Sequence, residues 1–204
     1  MPDNKDRPSG FKPIKHLNGM PWNGKFNIYY KSISAGDTEN IFIGSPVSLA
    51  GGADALGHCP TIQLSGTSGI IVGVVIGFGN TRYLAADVTD LDRLYATSAQ
   101  ACYVAVVDDP GVIFEIQEDS DGTAMAATSP GMNCTLIAES GNTTTGRSTV
   151  EIDRSELATT ITDPIKIIRL VDRVDNALGD YAKWEVMINF HAFGQGAGQT
   201  GIDS

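Results

Sequence analysis

The chain is predicted to be all-β: an antiparallel β-barrel or β-sandwich, with a jelly roll among the possible topologies, preceded by an extended N-terminal arm. Three observations predict it. Short β-branched and aromatic segments recur, roughly ten in number, with turn signals between them every ~8–15 residues. Helical periodicity is confined to residues 153–160 (DRSELATT), a Thr-rich stretch long enough for about two turns. Near the C-terminus, Trp184, Val186, Ile188 and Phe190 alternate with Lys183, Glu185, Met187 and Asn189, the period-two pattern of a strand with one buried face.

Three parts follow in order. Residues 1–24 hold four prolines (Pro2, Pro8, Pro13, Pro21), which remove backbone donors and exclude helix. Phe11, Ile14, Leu17, Met20 and Trp22 are interspersed among them, and a purely solvated tail has no need of such residues. This is an arm that lies on something, its own body or a neighbour. Residues 25–192 form the body. Residues 25–32 (KFNIYYKS), 40–44 (NIFIG), 46–50 and 61–64 are its first strands, with a turn at Ala35-Gly36-Asp37. Residues 70–78 are a near-continuous apolar strand in which Gly73 and Gly77 signal a bend or a close backbone approach. Residues 91–96 make a weak strand or a short helical turn. Residues 102–107 (CYVAVV) and 112–117 (VIFEIQ) flank Asp108-Asp109-Pro110-Gly111, turn chemistry that predicts a hairpin. Residues 134–139, 148–152, 165–172 and 183–190 complete the body. Residues 193–204 are a Gly-rich tail, flexible by composition.

The 204 residues, 42% hydrophobic, suffice for a core without disulfides or metals. The three cysteines, Cys59, Cys102 and Cys134, form no CxxC pair and read as buried free thiols. The longest apolar run, residues 69–79, falls short of the ~18 residues a membrane helix needs, and the polar N-terminus lacks a signal-peptide core. A protein made in the cytoplasm with no membrane partner is expected. The net charge of −10 disfavours nucleic acid. Its distribution is uneven: residues 1–30 carry +3 and the remainder −13, so the arm is suited to an acidic surface.

Several motifs invite chemistry. Residues 141–148 (GNTTTGRS) differ from a phosphate loop by Arg147 in place of lysine, but the following residues alternate like a strand instead of opening a helix. A formal GxGxxG at residues 196–201 has no room for the helix a dinucleotide site requires. Residues 118–122 (EDSDG) are similar to part of a calcium loop without its closing glutamate. Asp87, Asp90 and Asp92 form an acidic cluster that a solvated loop explains. His16, His58 and His191 lie in separate regions, and no nucleophile elbow or zinc-protease motif is present. No catalytic residue, metal or cofactor is expected.

Residues 11–30, 41–50, 73–78, 104–118, 143–153 and 167–190 together resemble a family of tailed-phage virion proteins encoded beside the major capsid protein and taken to be capsid decoration, or cement, proteins. The resemblance covers about residues 11–192. It implies a non-enzymatic homo-oligomer, dimer or trimer, on the outer surface of an icosahedral head, with the major capsid protein as partner. Phe11, Ile14, Leu17 and Trp22 would be the apolar anchors of the arm, and Lys12 and Lys15 its rim charges. Location on the virion, after assembly in the host cytoplasm, follows from the same resemblance. Alternatives are another virion component (tail, fibre or host-recognition protein) or a nucleotide-binding enzyme using residues 141–148.

Overall fold

The computed structural model describes residues 4–33, 39–81, 93–137, 141–194 and 198. In chain order its strands are β1 (Lys12–His16), β2 (Asn27–Lys31), β3 (Ile41–Phe42), β4 (Pro46–Ala53), β5 (Pro60–Leu64), β6 (Gly73–Gly79), β7 (Tyr95–Ala96), β8 (Cys102–Val107), β9 (Val112–Gln117), β10 (Asn133–Cys134), β11 (Leu136–Ile137), β12 (Glu151–Ile152), β13 (Ile165–Leu170) and β14 (Lys183–Ile188). The all-β expectation is borne out. The 3-10 turn Arg154–Glu156 is the only helical element among the described residues, in place of the two turns expected there, and the Asp153 carboxylate caps it by accepting from the Ser155 amide. The turn expected at Ala35-Gly36-Asp37, the cluster Asp87, Asp90 and Asp92, and all of the C-terminal tail from residue 195 except Gly198 lie outside the described residues.

The barrel of the expectation is present, and an open sheet is fused to it. β2-β5-β4-β6-β8 close into a barrel, and β1-β9-β14-β13-β10 form an open five-stranded sheet. Every strand pair is antiparallel except β2 and β5, where Tyr30 lies opposite Thr61. Two small ribbons, β3–β7 and β11–β12, complete the set.

Strand alternation divides the side chains between two cores. From β8, Cys102, Val104 and Val106 point into the barrel, whose filling also includes Tyr29, Val47, Ile62, Val75 and Phe78. Val74 and Val107, on the other face of the same two strands, join the sheet's core with Phe114, Ile116, Ile165, Ile167, Trp184, Val186 and Ile188. β6 and β8 are therefore a wall shared by both halves. A bulge between Val75 and Gly77 lets Val75 and Phe78 both face inward despite their odd spacing. Gly73 meets the expected close approach: a Cβ there would strike the Val107 carbonyl oxygen. Burying a large aliphatic or aromatic side chain in either core contributes ~1.5–3 kcal/mol.

One sequence expectation is overturned. β8 and β9 do not pair as a hairpin. The edges of β8 are taken by β2 and β6, and those of β9 by β1 and β14. Residues 108–111 do turn the chain, with Gly111 donating to the Asp109 carboxylate at 2.8 Å and Val112 to the Asp109 carbonyl at 3.1 Å. The turn is a corner that carries the chain from the barrel into the sheet. All six residues of β9 are buried, so this strand needs partners on both edges and cover on both faces, and a two-stranded ribbon supplies neither.

Candidate functional site: the N-terminal strand and the barrel–sheet corner

Over Lys12–His16 the expected arm is a strand of the body, β1, which pairs antiparallel with β9 and forms one edge of the sheet. Its residues have distinct environments. Phe11 is 3% exposed and meets Phe114 edge-on, ring centroids 5.8 Å apart, so it belongs to the chain's own core and not to the surface. Trp22 packs against the same core while its indole N–H donates to the Lys25 carbonyl at 3.3 Å. Ile14 is half-buried and accepts from the Trp22 amide. Lys12 is exposed and stands opposite Glu115 in register. Lys15 is ion-paired to Glu185 at 2.7 Å, which gives the basic segment an acidic partner within its own chain.

Between β1 and Pro21 the chain reverses in a tight turn. His16 donates to Met20 and Gly19 to His16, both at 2.8 Å, and the Asn18 side chain accepts from Met20. This turn holds Leu17 at 59% and Met20 at 57% exposure. The Leu17 amide donates to the Gly111 carbonyl at 2.7 Å, fixing the turn against the corner. Phe26, also exposed, immediately precedes Asn27, whose side-chain NH2 donates to both Asp108 oxygens at 2.9 and 3.0 Å. Exposed Leu17, Met20 and Phe26 are thus presented on segments hydrogen-bonded to one corner. Beside them runs an open groove of about 620 Å³, lined by Ile28, Tyr29, His58, Pro60, Asp108, Asp109, Pro110 and exposed Phe193.

The corner also gathers the three histidines, which the sequence separates. His16 Nδ1 lies 3.3 Å from Asp109, His58 lines the groove, and His191 feels Asp108 and Asp109. Burial pushes His191 below its ordinary range against the pull of those two carboxylates. Its Nδ1 accepts from the Phe193 amide, which commits that nitrogen to the local turn. Tyr29 donates to Asp108 at 2.7 Å, and burial, then the adjacent carboxylate, raises its phenol. Nothing in the sequence spacing signals this gathering, because it depends on the corner at residues 108–111.

The remaining motifs have structural explanations. In residues 141–148 the Asn142 side chain accepts from the Thr144 and Thr145 amides, and the Asn142 amide donates to Arg147, so these N–H groups are consumed inside the loop. Its glycines answer to packing: a Cβ on Gly141 would strike the Phe42 ring, and one on Gly146 the Leu94 carbonyl. No helix follows; the next element is β12. A phosphate loop needs free amides at a helix start; this loop opens no helix, and most of its amides are already engaged. In residues 118–122 the place of a cation is taken by Arg154, which donates to the carbonyls of Asp121 and Gly122 and pairs with Asp119 and Asp180. Glu118, fully buried, is pushed up to about 7 by desolvation, against the opposing effect of the Met125 amide and Arg154. Among the described residues no group of three or more His, Cys, Asp or Glu could hold a metal ion, and no helix is long and apolar enough to cross a membrane. All three cysteines are buried thiols outside any disulfide, and Cys134 donates to the Asp153 carbonyl.

Fold and surface together define an all-β protein of two fused halves, a closed barrel and an open sheet, with an apolar turn presented at their junction. Comparison with protein-family models, curated proteins and solved structures returns no match to this chain.

Proposed function

We propose that this chain is a capsid decoration protein of a tailed phage, binding the major capsid protein on the outside of the icosahedral head as a homo-oligomer. The observation that carries the reading is the apolar turn: Leu17 and Met20 are held more than half exposed by a hydrogen-bonded turn docked on the rigid body. Large apolar side chains held rigidly in water lose little entropy on docking, which favours a protein surface as their partner. The resemblance of residues 11–192 to virion proteins encoded beside the major capsid protein supports the same reading. A ligand that binds only the assembled shell stabilises it by mass action, and repetition over the lattice adds avidity. In this reading Leu17 and Met20, with Phe26 beside them, make the contact, Lys12 is a rim charge, and Phe11 and Trp22 hold the turn in place from beneath.

The test is binding of the purified protein to capsids of the encoding phage that lack it. Leu17→Asp combined with Met20→Asp is expected to abolish saturation of the capsids while the circular-dichroism spectrum stays unchanged. Unaltered saturation by the double variant would overturn the assignment. Localisation of the protein on the tail in purified particles would replace the reading with that of a tail or fibre component.

A further inference from the structure

A second concave site lies where the N-terminal segment crosses the loop between β13 and β14. It is a groove of about 320 Å³ whose lining includes Lys5, Arg7, Arg173, Lys183, Asn176 and Tyr181. That volume is at the lower end of the range that holds small ligands, roughly 300–1,000 Å³. In a chain of net charge −10, four cations converge here. Two are already engaged: Arg173 Nη1 reaches both oxygens of buried Glu115 at 3.0 and 3.2 Å and its Nε reaches Asp175, an exposed carboxylate of the lining, at 3.0 Å, while Lys183 stands off from Glu115 at 3.9 Å. Lys5 and Arg7 are exposed, and neither side chain has an acidic partner among the described residues. Asp175, Glu115 and Asp6, which lies between Lys5 and Arg7 and accepts from Gln117, are set against the four cations, so one positive charge is left over at the groove.

The walls are built to hold their shape. The Asn4 side chain donates to the carbonyls of Ala177 and Asp180 and accepts from the Ala177 amide, tying the N-terminal segment to the loop across more than 170 residues of sequence. Buried Asn176 donates to Val171 and Lys183 carbonyls and accepts from the Lys183 amide, closing the loop at its base. Arg154 fastens Asp180 at 2.7 Å. Tyr181, in the lining, has φ of 62°, the one non-glycine residue in the left-handed region among the described residues. Strain of this kind persists where the surroundings over-determine it and gathers at ligand sites.

We infer that this groove binds a small ligand bearing two or more oxyanion groups, phosphate or carboxylate, with Lys5 and Arg7 closing on it and Arg173 and Lys183 forming its floor. Guanidinium and ammonium groups fixed at the rim of a concavity pair with such oxygens through short, charge-assisted hydrogen bonds. The inference is independent of the capsid reading, since Leu17 and Met20 take no part in the groove.

Calorimetric titration of the full chain at low ionic strength with pyrophosphate, and separately with citrate, tests it. Saturable one-to-one binding of at least one probe is expected below about 1 mM, weakened roughly tenfold or more by Arg7→Ala and by Lys5→Ala. Preference for pyrophosphate assigns the site to phosphate-bearing ligands, and preference for citrate to polycarboxylates. The amide resonances of Asn176 and Tyr181 are expected to shift on titration, a readout that holds even where a variant alters stability. Arg147→Ala, an exposed arginine in a different loop, is expected to leave binding intact. No saturable heat with either probe would overturn the inference, as would equal weakening by Arg147→Ala and Arg7→Ala.

Discussion

The barrel and the five-stranded sheet share the β6–β8 wall but meet the same physical demands by different means. Closure gives each barrel strand a backbone partner on both sides, and the barrel strands bury chiefly aliphatic and aromatic side chains, with Lys31 of β2 fully buried among them. The open sheet is apolar on one face and charged on the other. Lys12, Glu115, Glu185 and Arg169 stand side by side across β1, β9, β14 and β13, reinforced by Lys15, Arg173 and Lys183. The sheet also borders the buried carboxylates of Glu118 and Asp119. The difference teaches that in this molecule the ion-pair network belongs to the sheet half, while the barrel half is held mainly by packing, with Tyr29, Asp54 and Tyr103 as its isolated shifted groups.

The largest expected effect tests whether the two halves are one cooperative unit. Trp184→Ala in the sheet core should cost about 3–5 kcal/mol, and Ile62→Ala in the barrel about 2–5 kcal/mol, measured by denaturant unfolding. Both should move the same single transition, because Val74 and Val107 couple the cores through the shared wall. Two separated transitions would show that the wall transmits little.

Next comes Glu118. Its carboxyl titrates in the folded state at about 7, above its ordinary 4.5, so the folded state holds its proton more tightly than the unfolded chain does. The resulting stability is fully present below 4.5 and is lost as pH rises through 7. Glu118→Gln should therefore stabilise the protein at pH 8 by about 2–3 kcal/mol and flatten the slope between pH 5 and 7, as read from urea midpoints against pH. An unchanged slope would place the titration elsewhere.

Glu185 titrates with the opposite sign. Burial pushes its carboxyl up, but the hydrogen bonds from Arg169 and Lys15 and their charges outweigh it and hold the group below its ordinary value. Stability from this group is present at neutral pH and is lost as pH falls through its lowered value. Lys15→Ala should cost about 1 kcal/mol near neutrality and bring acid unfolding to a higher pH. The smallest effect is expected from Leu17→Asp with Met20→Asp, within about 0.5 kcal/mol of wild type in thermal unfolding, because neither side chain is buried.

Much of the strand content was legible. Alternation identified β14, and β-branched runs identified β2, β8 and β9 within a residue or two and β6 within three. Pairing was not legible, because turn chemistry at residues 108–111 specifies a reversal of the chain without specifying which sheet receives it. The proline-rich N-terminus read as an arm because proline removes ladder donors. Here Pro13 sits on the edge strand β1, where such a loss is tolerated, with a register shift between Pro13 and Lys15. The positive charge of that segment was legible, but the acid that receives Lys15 is 170 residues away on β14. The same distance hid the oxyanion groove, whose walls come from residues 4–7 and 173–183. The glycines of residues 141–148 imitate a nucleotide motif because close approach to an aromatic ring and to a carbonyl demands the same residue that a phosphate would.

The placement of β1 has a consequence for crowding. It caps one side of the sheet with a strand that is short, proline-bearing and lysine-rich, and the opposite margin, β10, is only two residues long. The barrel has no free margin at all. At high concentration the described margins of the barrel and the five-stranded sheet thus offer little ladder on which another chain could extend into a fibril.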